Sequence, residues 1–248
     1  MSEKKTKVRV KNISKRFGDL LVLDNVSFDI AEGEFLCVVG PTGCGKTTFL
    51  NSLTKLYEPT SGEILVNDEP VDLRKHNISY IFQEKSTMEW LNVEENVGFG
   101  LEIKGIKGKE KKEAVDEVLE IVDLSDYRHY YPHEISASML QRVVIARAFA
   151  TKPELLLMDE PYGQLDIELR FKLEDELLKL WKKTNTTIIF ITHNIEEAVY
   201  MSENILVLTN KPATIKERIL NDLPRPRNVI DKDFIKLRNQ VTDLIKWW

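Results

Sequence analysis

One stretch, Gly40-Pro41-Thr42-Gly43-Cys44-Gly45-Lys46-Thr47-Thr48, constrains this chain more than any other. It lies between the apolar run Phe35–Val39 and the segment Phe49–Leu53. The pattern is G-x-x-x-x-G-K-[ST], read here as strand, glycine-rich loop and helix, which is the context that motif requires. Glycines let successive backbone N–H groups curl around a phosphate chain without Cβ interference. The helix opening at Lys46 adds unpaired N–H groups and its positive dipole end. Lys46 is placed to reach β- and γ-phosphates, and the Thr47 hydroxyl to ligate Mg²⁺. A chain of this length would match by accident only about 1% of the time, given ordinary residue usage. Gly40 to Thr48 therefore predict a nucleoside triphosphate site.

The 248 residues allow one large or two small domains with a substantial core. A formal net charge of −5 and the lack of a basic stripe argue against a nucleic-acid partner. No apolar run approaches the length of a membrane span, and Met1 to Lys5 form no apolar signal region. The two cysteines, Cys37 in a strand and Cys44 in the phosphate loop, suit a reducing cytosol better than a disulfide framework.

Val8 to Ile13 alternates apolar and polar residues, as does Leu21 to Ile30, with Arg16–Asp19 as the turn between two antiparallel strands. Phe17 at that turn is either core or a plate for an adenine ring, a stack worth about 1–3 kcal/mol. Ile64–Val66 and Ile78–Phe82 read as strands, the second ending at Gln83. From Glu94 to Ala150 the pattern turns helical, with Ala114, Val115, Val118, Leu119 and Val122 on one face. This insert, about residues 86–150, is the expected second subdomain, its last helix starting near Ser138.

Leu155–Met158 is a continuous apolar run ending in Asp159-Glu160-Pro161. A carboxylate at the carboxyl end of a buried parallel strand is where open α/β sheets carry out ligand chemistry; a surface turn is the alternative. Leu169, Leu173, Leu177 and Leu180 mark an amphipathic helix, and Thr187–Ile191 a strand leading to Thr192-His193. His193 is either a satisfied core histidine or a functional group at the same sheet edge as Asp159. Asn204–Leu208 and Thr214–Leu220 read as closing strands. Pro224-Arg225-Pro226-Arg227 reads as a stiff extended linker, and Phe234, Leu237, Val241, Leu244 and Ile245 as a last helix before Trp247-Trp248. The expected fold is α/β: a P-loop NTPase core with a mainly parallel sheet, an N-terminal antiparallel β subdomain and a helical insert.

With the phosphate loop, Gln83, Leu155–Pro161 and His193 in that order, nearly the whole chain resembles the ATPase subunit of an ATP-binding cassette (ABC) transporter. Tyr131–Ser136 with Gln141–Ala148 is similar to the family's signature segment and its helix, and Tyr162-Gly163-Gln164-Leu165-Asp166 to the loop that reaches a partner subunit. Phe82-Gln83-Glu84, Trp90 and Pro224–Arg227 resemble the subgroup importing nitrate, sulfonates and taurine. The resemblance implies an ATPase domain over residues 1–223 and a C-terminal linker and helix over 224–248. It implies two subunits, identical or different, pairing head to tail, with ATP between one phosphate loop and the other's Ser136 and Asp166. Asp159 and Gln83 would support Mg²⁺ with Thr47, Glu160 would polarise water, His193 would hold the γ-phosphate and Phe17 would stack on adenine. A membrane permease would dock near Gln83 to Glu95, with Trp90 as an interface anchor or as packing of the insert. An extracytoplasmic solute-binding protein would act indirectly, and the subunit would sit on the cytoplasmic face of the membrane.

Two departures stand out. The signature core, usually Ser-Gly-Gly, is Ser136-Ala137-Ser138, which adds Cβ atoms where close approach or a positive φ is expected; slow turnover follows. Lys85–Glu89 also differs from the more apolar, Pro-containing family version. Two other readings are a weakly hydrolysing regulatory subunit and a soluble ABC ATPase that serves no transporter.

Overall fold

The computed structural model describes residues 5–84, 86–163 and 166–245. Expectations that fall on Lys85, Gln164, Leu165 and Trp247-Trp248 lie outside the described residues. In chain order the strands and helices are β1 (Thr6–Phe17), β2 (Leu20–Ala31), β3 (Phe35–Val39), α1 (Lys46–Leu53), β4 (Ser61–Val66), β5 (Glu69–Pro70) and β6 (Ile78–Ile81). Then come α2 (Val93–Ile103), α3 (Gly108–Ile121), α4 (Ala137–Ala150), β7 (Leu155–Asp159), α5 (Ile167–Thr184) and β8 (Thr187–Ile191). The chain continues through α6 (Ile195–Met201), β9 (Asn204–Leu208), β10 (Ile215–Leu220) and α7 (Lys232–Ile245). These elements form two compact units. One runs to His76 and resumes at Thr187; the other is Asn77–Thr186.

The first unit holds an antiparallel sheet in the order β2-β1-β4-β5. β1 and β2 extend past the predicted alternation because Arg16 and Phe17 still pair with Leu21 and Leu20, leaving only Gly18-Asp19 as the turn. Register shifts near Asn12 are stitched by Ser27, whose hydroxyl accepts from Asn12 N at 2.7 Å. A Cβ on Gly62 would lie 2.3 Å from the Asn12 carbonyl oxygen, so only glycine lets β4 start against that bulge. The same unit holds β10-β9-β3-β8, in which β3 runs parallel to both neighbours and β10 antiparallel to β9. β3 and β8 are buried along their whole lengths, as parallel strands covered on both faces must be.

In the second unit β6 and β7 pair in parallel. α3 buries Val115, Val118 and Leu119. α5 buries Leu173, Leu177 and Leu180 completely, each contributing about 1.5–3 kcal/mol. Asn96, fully buried in α2, donates to the carbonyls of Met88 and Leu91 and accepts from Met88 N at 2.8 Å. That one amide fixes the loop carrying Trp90.

The fold corrects two expectations, the backbone at Ala137 and Ser138 and the linker at Pro224–Arg227. α4 begins at Ala137, in the first turn of which Ala137 and Ser138 are ordinary right-handed helix, so neither occupies a left-handed position. α7 forms as expected, with Phe234 and Val241 buried and Leu237, Leu244 and Ile245 half-buried on the same helix. Pro224–Arg227 is not a free extended linker: the backbone bends at Arg225-Pro226, and Arg227 is buried.

Candidate nucleotide-binding and hydrolysis site

The phosphate loop is shaped by backbone conformation. Gly43 and Gly45 take φ values of 75° and 124°, and a Cβ on Gly45 would lie 2.9 Å from Val22 Cγ1. Gly40 is tight in another way, its Cβ position lying 3.0 Å from the Leu208 carbonyl oxygen. α1 starts at Lys46 after Gly45, with no side chain capping its first N–H groups. Lys46 is buried, and its ammonium donates to the Gly40 and Pro41 carbonyls at 2.9 and 3.1 Å. Cys44 faces inward, its thiol pKa raised by burial against the opposing pull of Lys46, which makes it wall rather than nucleophile. Thr42 and Thr47 are exposed, Pro41 and Thr48 half-buried. A glycine-built ring of N–H groups, an uncapped helix start and one ammonium fit a polyphosphate.

Register brings His193 to this loop. Val38 pairs with Ile191, and Thr192 N donates to the Val38 carbonyl at 3.3 Å. Two residues beyond each, the parallel strands deliver Gly40 and exposed His193 to one edge. Phe17 closes the β1 hairpin, 42% exposed, and so is not core. Tyr57 meets its ring edge-on at 5.3 Å, and the Lys15 ammonium sits 4.9 Å from its centroid.

The second unit repeats the device. Ile81 pairs with Met158, so Gln83 and Glu160 emerge as register neighbours beside Asp159. Asp159 is buried, and Tyr80 donates to its Oδ2 at a long 3.5 Å. Burial, and then the Asp159 charge, push the Tyr80 phenol upward. Glu160 has φ of 45°, a left-handed conformation unusual for a residue with a Cβ. Ser136 caps α4, accepting from Met139 N at 3.3 Å, and its hydroxyl lies 2.8 Å from that of Ser138. Asp166 caps α5, accepting from Leu169 N at 2.9 Å. Tyr80, Phe82, Met88, Phe99 and Ile103 line a largely apolar groove of roughly 460 Å³. Trp90, 75% exposed, does not pack the insert. Among the described residues no group of three or more His, Cys, Asp or Glu side chains could hold a metal ion, and no helix is long and apolar enough to cross a membrane.

Residues 23–163 match the family described as ABC transporter. The chain belongs to the ABC transporter family. It is 40% identical over 246 residues to an uncharacterised ABC transporter ATP-binding protein of Methanocaldococcus jannaschii, covering 98% of this chain and 92% of that one. An aliphatic sulfonates import ATP-binding protein, SsuB of Bacillus thuringiensis subsp. konkukian, is 42% identical over 231 residues, 93% and 91% of the two chains. Among solved structures, a dimeric post-hydrolysis state of the ATP-binding cassette MJ0796 bound to ADP and Pi superposes with a TM-score of 0.75 at 30% identity, over 88% of this chain and all of that one. The cbiO1 structure from Clostridium perfringens shares the fold, with a TM-score of 0.81 at 23% identity over 97% and 98% of the chains.

This ABC ATPase carries site supports that the apolar periodicity alone does not reveal. α6 is absent from the expected elements, although Asn194 followed by Glu196 and Glu197 is a helix-start signature. Asn194 Oδ1 does accept from Glu196 N and Glu197 N, at 2.9 and 3.4 Å. Tyr80, facing Asp159, has no sequence signal beyond its place in a strand.

Proposed function

We propose that this ABC ATPase powers a membrane importer for small sulfonate-type solutes. The observation that carries this reading is the 42% identity, nearly end to end, with an aliphatic sulfonates import ATP-binding protein. Nitrate and taurine belong to the same broader expectation, but that relative favours sulfonates. Disrupting the gene in its host should abolish growth on an alkanesulfonate as sole sulfur source while growth on sulfate continues. Unchanged growth on alkanesulfonates would move the solute class elsewhere.

In the proposed mechanism the phosphate-loop N–H groups of Gly43 to Thr48 and the Lys46 ammonium hold the β- and γ-phosphates. Thr47, Gln83 and Asp159 would hold Mg²⁺; hydroxyl, amide and carboxylate oxygens are the donors that ion takes. When bound, Mg²⁺ supplies charge neutralisation at the phosphate oxygens. Glu160 orients and polarises the attacking water, His193 donates to the γ-phosphate, and Phe17 offers its exposed ring to adenine. Phosphoryl transfer asks little more of a protein than such positioning and charge stabilisation. A second ATPase subunit supplies Ser136 and Asp166 to complete each site, a pairing supported by the dimeric cassette relative. Closure and reopening of that dimer drives a permease helix seated in the groove of Tyr80, Phe82, Met88, Phe99 and Ile103, with exposed Trp90, two residues along the chain from Met88, as the aromatic anchor. A solute-binding protein on the far side of the membrane delivers the cargo, and the ATPase stays peripheral on the cytoplasmic face.

A further inference from the structure

The carbonyl end of α6 is closed by side chains from the tail. Arg227 Nη1 donates to the carbonyls of Val199, Tyr200 and Ser202 at 2.8, 3.0 and 2.7 Å, Nη2 to Asn221 at 3.1 Å, and Nε to Leu223 at 3.2 Å. Arg225 donates to the carbonyls of Tyr200 and Met201, and Asn221 Nδ2 to that of Val199 at 2.8 Å. The last carbonyls of a helix have no partner within it. Here all four from Val199 to Ser202 are taken, by two cations and an amide that also complement the helix dipole. A buried guanidinium, Arg227, beside a half-buried one, Arg225, is costly. Burial, and then Arg225, pull the Arg227 pKa down to about 9. A linker that merely connected α7 to the core would need neither arginine inside.

The other end of α6 begins immediately after His193. Thr192 Oγ1 accepts from Asn194 N at 2.9 Å and donates to Glu197 Oε2 at 2.5 Å. His193 therefore stands between two residues that are both tied to the first turn of α6. Arg238 of α7 adds an ion pair with Glu196 at 3.8 Å. With only two turns between its fastened ends, α6 moves as a rod, so a shift at Ser202 is felt at His193.

We infer that Asn221–Arg227 is a positioning element of the ATPase: it fixes α6 and thereby aims His193. This rests on the proposed contact of His193 with the γ-phosphate, and the test separates the two. In the full-length protein, Arg227→Met should lower kcat by about ten- to hundredfold with KM for ATP within about twofold, as misplacement of a contacting group does. Arg227→Lys, which keeps the charge but loses the planar fork, should recover only part of the rate. In a His193→Ala background, Arg227→Met should have no further effect. Equal losses in both backgrounds would make Arg227 merely structural and overturn the inference while leaving His193 in place. An unchanged kcat for His193→Ala would overturn both. Should Arg227→Met fail to fold, Arg225→Gln, which removes fewer bonds, goes through the same cycle: loss confined to the His193 background supports the inference, and equal loss in both overturns it.

Discussion

α1 and α4 begin in opposite ways. α1 follows Gly45, so no side chain claims its first N–H groups. α4 follows Ser136, which accepts from Met139 N and pairs with Ser138. α2, α5 and α6 are likewise side-chain capped, by Asn92, Asp166 and Asn194. A missing cap costs about 1 kcal/mol, and at α1 that cost is the condition for a phosphate to serve as the cap. The difference teaches that the cradle is written in backbone and glycine, while the signature segment is written in exchangeable side chains. The first should therefore tolerate almost nothing and the second a good deal.

The comparison is tested hardest at the cradle. Lys46→Ala should lower kcat about 10²–10³-fold, the usual loss for one preorganised donor; undiminished turnover in an ATPase assay would break the assignment. Glu160→Gln should cost about 10²–10⁴-fold as a missing general base. ATP affinity should remain and a dimer should appear by gel filtration with ATP and Mg²⁺; a monomer alone would sink the two-subunit site. Glu160→Gly should be equally inactive yet more stable by about 1–2 kcal/mol, because glycine relieves the left-handed backbone. A lower melting midpoint would show that no strain is held there.

At the signature segment the effects should be smaller. Ala137→Gly with Ser138→Gly removes two Cβ atoms from a helical first turn. It should raise turnover several-fold while costing roughly 0.5–1 kcal/mol of stability per glycine. Equal rates in the parent and the folded double variant would show the two Cβ atoms to be harmless. The smallest effect is expected of Trp90→Ala: a melting midpoint shift equivalent to less than about 0.5 kcal/mol, as for an exposed side chain. Nucleotide binding should be intact and permease coupling weakened; a large fall in the midpoint would make Trp90 packing after all.

What is legible in the sequence follows from periodicity and rigid geometry. Phe35–Val39 is apolar throughout and Thr187–Ile191 is apolar from Ile188 on, and both are strands with those bounds. The phosphate loop can be read because so few residue types satisfy its φ angles. The signature misleads at Ala137 and Ser138, because glycine there suggests a left-handed backbone that the helix does not have. Pro224–Arg227 reads as a linker from its prolines alone. Nothing in the local pattern says that a guanidinium will turn inward to meet carbonyls near Val199, since that pairing exists only once α6 is folded.

The discontinuity of the first unit bears on how the protein is made. Phe35 pairs with Ile188, about 150 residues later in the chain. At about 5–20 residues per second, β3 waits roughly 8–30 s on the ribosome before β8 and β9 emerge. Meanwhile the intervening unit, continuous from Asn77 to Thr186, has its whole sequence available first. The nucleotide cradle is thus among the earliest segments synthesised and the last to be supported. A ribosome that stops before Arg227 releases a chain whose phosphate loop is complete in sequence but whose α6 lacks the bonds that Arg227 gives to the carbonyls of Val199 and Ser202.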